Sequence, residues 1–172
     1  MPSRLKSVEE TPFIWPRMND LFNPAGLCML EDRQGAIAFG YVAPRVFFAR
    51  FVGRLSAELG EAYVHHLEAA VGRVPALAYF ADASALREYD LSARARFARF
   101  VAQRRPKFAS LVILTWAEGA GTTGRAFGAS IGEPVQVLSD PWEFECAFSN
   151  VASPRAHPIT EVSQLWQVHA PA

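Results

Sequence analysis

The sequence predicts an α/β fold in which helices pack on a mixed β-sheet in the order β-β-β-α-β-α-β-α-β-α. Two observations predict it. Short apolar runs joined by tight polar links come first, and from Ser56 onward segments with apolar residues every three to four positions alternate with further apolar runs. The length fits one domain. We place it at residues 25–149, between an extended N-terminal arm (1–24) and a C-terminal tail (150–172).

The arm carries four prolines among polar residues, which excludes a long helix. Its aromatic cluster, Phe13 to Phe22, either packs back on the domain or docks on another chain. The domain then begins with the apolar runs 27–30, 36–42 and 46–52. Because short polar links join these runs, we predict three neighbouring strands in a meander.

The first helix is predicted by its apolar stripe, which includes Leu59, Tyr63 and Leu67. Ser56 is suited to cap its start and Gly72 to end it. The strand predicted at 46–52 should therefore lead directly into this helix.

The apolar run 76–81 follows, and it predicts a central strand that is buried on both faces and ends at Asp82. A second helix should span about residues 91–105, with Asp90 as its N-cap and Phe97 on its inner face.

Four further elements complete the predicted domain. The run 111–116 predicts a strand, 123–131 a weak helix after a Gly-rich segment, 135–138 a strand and 141–148 a closing helix.

Composition narrows the classes of function. Seventeen basic and seventeen acidic side chains balance, so charge gives no reason to expect nucleic acid as a partner. There is no signal-like apolar stretch and no run of about eighteen apolar residues, which predicts a cytoplasmic protein without a membrane segment. Cys28 and Cys146 lie alone in apolar surroundings and are predicted to be buried free thiols.

No pattern indicates catalysis. His65 and His66 lie within a predicted helix, and no second cluster completes a metal shell. There is no GxSxG motif and no cysteine in a recognisable histidine context. We predict a non-enzymatic protein with no metal and no cofactor.

Several segments in this order resemble a known family. They are the turn 53–56 that leads into the first helix, the strand ending at Asp82, the loop 89–92, the strand 111–116 and the closing segment 135–148. Together they resemble a STAS domain, the fold of anti-sigma-factor antagonists and sulfate-transporter tails. The resemblance implies a regulatory module that binds other proteins, such as a kinase, an anti-sigma-like regulator or a second copy of itself.

In STAS domains the loop before the second helix typically reads Asp-Ser-Ser or Asp-Ser-Thr, then Gly, and a partner kinase phosphorylates the second hydroxyl residue. Asp90 matches the acid and Ser92 the phosphoacceptor, while Leu91 and Ala93 replace the first hydroxyl residue and the Gly. The resemblance thus implies a switch loop of Tyr89, Asp90 and Ser92. The alternative is that Asp90 only caps the helix and Ser92 is a solvated residue of its first turn.

The second helix is basic. Arg94, Arg96 and Arg99 form either an interaction surface for an acidic protein partner or a solvated face.

Two other functions remain open. Gly119, Gly121 and Gly124 fit GxGxxG, and with Asp82 they could form a small-ligand pocket at the sheet edge, as in a carrier or sensor, or else be a flexible Gly segment. A structural subunit would instead assemble into homo-oligomers through the aromatic arm.

One packing relationship underlies the predicted fold. Phe48 and Leu77 should lie in the same buried β-layer, with Phe97 packed onto it from outside.

Overall fold

The structure, a computed structural model, describes residues 4–7, 27–115 and 135–152. Its strands are β1 (Arg4–Ser7), β2 (Cys28–Glu31), β3 (Gly35–Ala43), β4 (Val46–Leu55), β5 (Leu77–Tyr89), β6 (Phe108–Leu114) and β7 (Val135–Leu138). They form one seven-stranded sheet whose order in space is the order along the chain. β1 to β4 pair antiparallel, and β4 to β7 pair parallel. The predicted mixed sheet and its β2–β3–β4 meander are confirmed.

Within the described residues, three helices cover this sheet. They are α1 (Ala57–Arg73), α2 (Leu91–Gln103) and α3 (Pro141–Ala152), and a 3₁₀ turn spans Arg105–Lys107. Side chains alternate between the two faces of a strand. In this sheet both sets are largely apolar, so the sheet has two apolar faces. One face packs with α1 and α2 into a first core, and the other packs with α3 into a second. The predicted α/β architecture is therefore confirmed.

Strand β5 is longer than the apolar run 76–81 predicts. The prediction that it ends at Asp82 is wrong, because the chain continues to pair with β4 as far as Leu55 opposite Tyr89. The register shifts twice on the way, as at a β-bulge. The extension contains polar residues, so a prediction based on apolar runs alone does not detect it.

Strand β1 falls inside the predicted arm and pairs with β2. No pattern in the sequence predicts this strand. The aromatic cluster Phe13 to Phe22, the weak helix 123–131 and the tail after residue 152 lie outside the described residues.

Two side-chain predictions need correction. Phe48 and Leu77 do share the sheet, but Phe48 belongs to the α3 core, whereas Leu77 and Phe97 belong to the α1–α2 core. Strand alternation separates them, since Phe48 pairs with Phe80 and not with a residue on the face of Leu77. The prediction of two buried thiols is wrong as well, since Cys28, the first residue of β2, is exposed and Cys146 is half-buried.

Close backbone contacts at two glycines position the N-terminal end of α1. Gly53 has a φ of 76°, and a Cβ there would lie 2.5 Å from the carbonyl oxygen of Gln34. A Cβ on Gly35 would lie 2.1 Å from the carbonyl oxygen of Arg54. Only glycine fits such approaches. They bring the β2–β3 loop, which contains Asp32, against the start of α1.

Candidate functional site

The candidate site forms where the parallel strands β4 and β5 end side by side. Leu55 is opposite Tyr89, and the backbone N–H of Asp90 donates to the carbonyl of Leu55 at 2.9 Å. The starts of α1 and α2 therefore lie next to each other, at the carboxyl ends of the strands. This edge is where α/β folds commonly place their sites.

Asp90 bridges the two helix starts. Its Oδ1 accepts a hydrogen bond from Arg54 Nη2 at 2.6 Å, and its Oδ2 accepts one from the backbone N–H of Ala57 at 2.9 Å. The Arg54 hydrogen bond first, and that of Ala57 next, hold the pKa of Asp90 below its usual value. Asp90 does occupy the position before α2, but its side chain makes no capping bond there. Asp90 is therefore the N-cap residue of α2 by position, as predicted, while Arg54 and the backbone N–H of Ala57 hold its carboxylate.

A second carboxylate secures the same helix start. The hydroxyl of Ser56 donates to Asp32 Oδ2 at 2.6 Å, and its oxygen accepts the N–H of Leu59 at 3.1 Å, which confirms Ser56 as the cap. Asp32 Oδ1 also accepts the N–H groups of Gln34 and Gly35. Burial acts to raise the pKa of Asp32, but these hydrogen bonds outweigh it and lower that pKa.

The start of α2 faces solvent. Leu91 is 76% exposed, and Ser92, the second residue of the helix, is exposed as well. The helix ladder begins with the N–H of Arg94, which donates to the carbonyl of Asp90. The side chain of Asp90 is turned away, so the amide groups of the first turn are left without its carboxylate. An anion attached to Ser92 would meet amide donors and the positive end of the helix dipole.

The three arginines of α2 differ in their surroundings. Arg94 lies over the ring of Tyr89, with 5.9 Å between its Cζ and the ring centroid. Arg96 forms an ion pair with Glu61 of α1 at 2.9 Å. Arg99 is exposed. Two of the three thus have partners within the domain, and Arg99 presents its charge to solvent.

Asp82 lies within β5 and not at its end. It is 4% exposed, and its Oδ2 is 3.3 Å from Nε of Arg50, itself 6% exposed. Its Oδ1 accepts hydrogen bonds from the N–H and hydroxyl of Ser84. Arg50 and Asp82 lie on the face covered by α3, beside Phe48 and Phe80. The structure makes Asp82 half of a buried ion pair.

The other residues of the predicted ligand edge, Gly119, Gly121 and Gly124, lie outside the described residues. The carrier hypothesis and the hypothesis of assembly through the aromatic arm therefore stay predictions.

Sequence reasoning missed Arg54, Asp32 and Arg50 as partners. A signal existed for Arg50, because it is the one charged residue inside the apolar run 46–52, and Asp82 directly follows the next run. Isolated opposite charges in neighbouring buried strands are usually paired. No comparable signal marked Asp32, whose contact depends on the close approach of two loops.

Comparison with solved structures supports the architecture. The chain is similar to an uncharacterized protein of the DUF3478 family with a SpoIIAA-like fold, from Shewanella loihica PV-4, at a TM-score of 0.52 and 19% identity. The match covers 66% of this chain and 94% of that chain. This chain has a SpoIIAA-like, STAS-like fold. No protein-family model and no curated protein match it.

None of the helices in the described part of the chain has both the length and the apolar character that crossing a lipid bilayer requires.

Proposed function

We propose that this protein is a non-enzymatic regulatory or scaffolding module that binds another protein through the surface formed by residues 89–100, and that phosphorylation of Ser92 controls this binding. The SpoIIAA-like fold supports a regulatory module. The observation that carries the proposal is the exposure of Leu91 directly beside Ser92, at a helix start where the side chain of Asp90 makes no capping bond.

Leu91 is suited to anchor a partner. An exposed leucine on a well-ordered helix start gains apolar burial on docking and is presented without a conformational search. The bonds of Asp90 to Arg54 and Ala57 fix the backbone from which Leu91 projects. Arg99, on the same helix and exposed, adds a charge that suits an acidic partner.

Ser92 is suited to switch that contact. A partner kinase would transfer the γ-phosphoryl group of ATP to Ser92 Oγ, which breaks the bond between the γ-phosphorus and the bridging oxygen and releases ADP and the hydroxyl proton. The dianion would lie by the first-turn amides of α2 and next to the apolar anchor Leu91. The negative charge would then stand inside the docking surface while the domain stays folded.

Quantitative co-purification from the native cell tests the contact. The wild type, Leu91→Asp and Ser92→Asp are compared, with Arg33→Ser as a matched surface control from the β2–β3 loop. We expect a set of proteins that the wild type and Arg33→Ser retain and that Leu91→Asp loses. Equal recovery by Leu91→Asp would overturn the proposed surface.

Intact mass after incubation with cell lysate and ATP tests the switch. We expect one added phosphoryl group on the wild type and none on Ser92→Ala. A phosphate that persists on Ser92→Ala, or no phosphate on the wild type, would overturn phosphorylation of Ser92 and leave the contact test unaffected.

A further inference from the structure

An open groove lies at the opposite end of the sheet from the start of α2, where Leu91 and Ser92 lie. It has a volume of about 530 Å³, and its lining includes Tyr41 and Val42 at the end of β3, Arg45 in the turn to β4, and Arg73 and Val74 at the end of α1. Strand β4 runs from this groove to the candidate site, and its length of roughly 30 Å separates the two. A partner at the groove would therefore leave Leu91 and Ser92 free.

Within the part of the chain that the structure describes, no carboxylate pairs with the positive charge of the groove. Arg45 and Arg73 are exposed, and within the described residues neither forms an ion pair. The sequence has no acidic residue in positions 33–57 or 69–81, the segments that supply the groove. The lining of the groove thus combines two cationic side chains with apolar ones that include Val42 and Val74.

Arg45 occupies a backbone position that favours glycine or asparagine. Its φ is 61° in the two-residue turn Pro44-Arg45 between β3 and β4. Its carbonyl oxygen accepts the N–H of Ala78 at 2.8 Å, which holds the turn on β5. A long cationic side chain at a left-handed position costs stability, and such strain concentrates where a side chain is used.

The surrounding end of the domain is basic as well. The 3₁₀ turn after α2 adds Arg105 and Lys107, immediately before β6 begins at Phe108. Glu68 of α1 is already engaged by Arg104, at 3.0 Å. An acidic ligand would therefore find complementary charge here.

We propose that this groove docks an acidic peptide segment of a partner protein, with an apolar side chain on Val42 and Val74 and carboxylates on Arg45 and Arg73. A small molecule would remain largely in solvent in so open a groove, whereas ligand pockets enclose most of their ligand. The apolar floor favours a peptide over a phosphodiester chain. The proposal goes beyond the 89–100 surface and gives the module a second, independent contact.

Selection from a random peptide library displayed on phage, with the full chain as bait, tests it. We expect enriched sequences that combine Asp or Glu with an apolar residue. The best sequence is then synthesised with a fluorescent label, together with an analogue carrying Asn and Gln in place of the acids, and both are titrated by fluorescence polarisation. The acidic peptide should bind at least about tenfold more tightly than its analogue.

Variants locate the binding. Arg45→Gly and Arg73→Ser should each weaken the peptide by about tenfold, whereas Arg33→Ser should not change its affinity. Leu91→Asp should also retain the peptide, so this result is independent of the proposed function. Enrichment without an acidic bias, or wild-type affinity in Arg45→Gly and Arg73→Ser, would overturn the proposal. So would arginine-dependent binding of a labelled single-stranded oligonucleotide with no acidic peptide enriched.

Discussion

The carboxylate of Asp90 lies 2.9 Å from the backbone nitrogen of Ala57, so the residue that precedes α2 caps α1. Together with the Arg54 ion pair, this contact ties β4, α1 and the β5–α2 junction at one point. The consequence is a fixed backbone at Leu91 and Ser92 whose side chains are exposed. That combination supports a docking surface.

The bonds of Asp32 and Asp90 predict acid sensitivity. Both pKa values are lowered in the folded state, so their contribution is present above the unfolded pKa of about 3.9 and is lost as the pH falls through the folded values. The urea midpoint should therefore fall as the pH drops from about 5 to about 2. The double variant Asp32→Asn/Asp90→Asn should lose part of this slope, and an unchanged slope would contradict the assigned bonds.

The packing of α1 on α2 depends on Gly60. A Cβ there would lie 2.7 Å from Cβ of Ala93. Gly60→Ala should lower the free energy of unfolding by about 1 to 2 kcal/mol, because the clash exceeds the gain in helix propensity. Gly72→Ala is the control in the same helix. Nothing lies within 4 Å of its added Cβ, so it should gain roughly 0.5 to 1 kcal/mol in urea titrations. Equal effects at both positions would refute this helix contact.

The buried pair Arg50 and Asp82 should behave as a coupled unit. Asp82→Leu or Arg50→Met alone leaves the other charge buried, so each should cost about 3 to 5 kcal/mol. The double variant should cost much less than the sum. Thermal and urea unfolding of the four proteins give the coupling energy, and additive losses would show that the two side chains do not interact.

The turn at Arg45 stores backbone strain. Arg45→Gly should raise the free energy of unfolding by about 1 kcal/mol, since relief at φ 61° exceeds the entropy cost of glycine. Gly53→Ala, at φ 76° and against the Gln34 carbonyl, should instead destabilise the fold. A loss of stability in Arg45→Gly would mean that its side chain supports the turn.

Much of the fold follows from periodicity. The apolar runs predict the meander, and the change in the spacing of apolar residues at Ser56 predicts the helices that follow, α1, α2 and α3. Apolar residues on one face of a helix recur every three to four positions, whereas those on one face of a strand recur every second position. The extension of β5 to Tyr89 escapes this logic. Its residues are half-buried or exposed, and backbone pairing with the end of β4 holds them in the sheet.

The candidate site is less accessible from sequence. Asp90 and Ser92 can be found because a helix begins there, and Ser56 because it precedes a helix period. The hydrogen-bond partners of Asp90 cannot be predicted from the sequence. The register of β4 on β5 determines that Ala57 and Arg54 lie within reach of its carboxylate. Phe48 shows the same limit, because strand alternation alone does not say which helix covers which face.

Affinity for the co-purified partner tests the central claim most directly. Once that partner is identified, its dissociation constant is measured by calorimetry for the wild type, the Ser92-phosphorylated protein, Leu91→Asp and Arg33→Ser. We predict that phosphorylation changes the constant by at least about tenfold, that Leu91→Asp weakens binding as strongly, and that Arg33→Ser matches the wild type. The same constant in all four proteins would contradict a regulated contact at the start of α2.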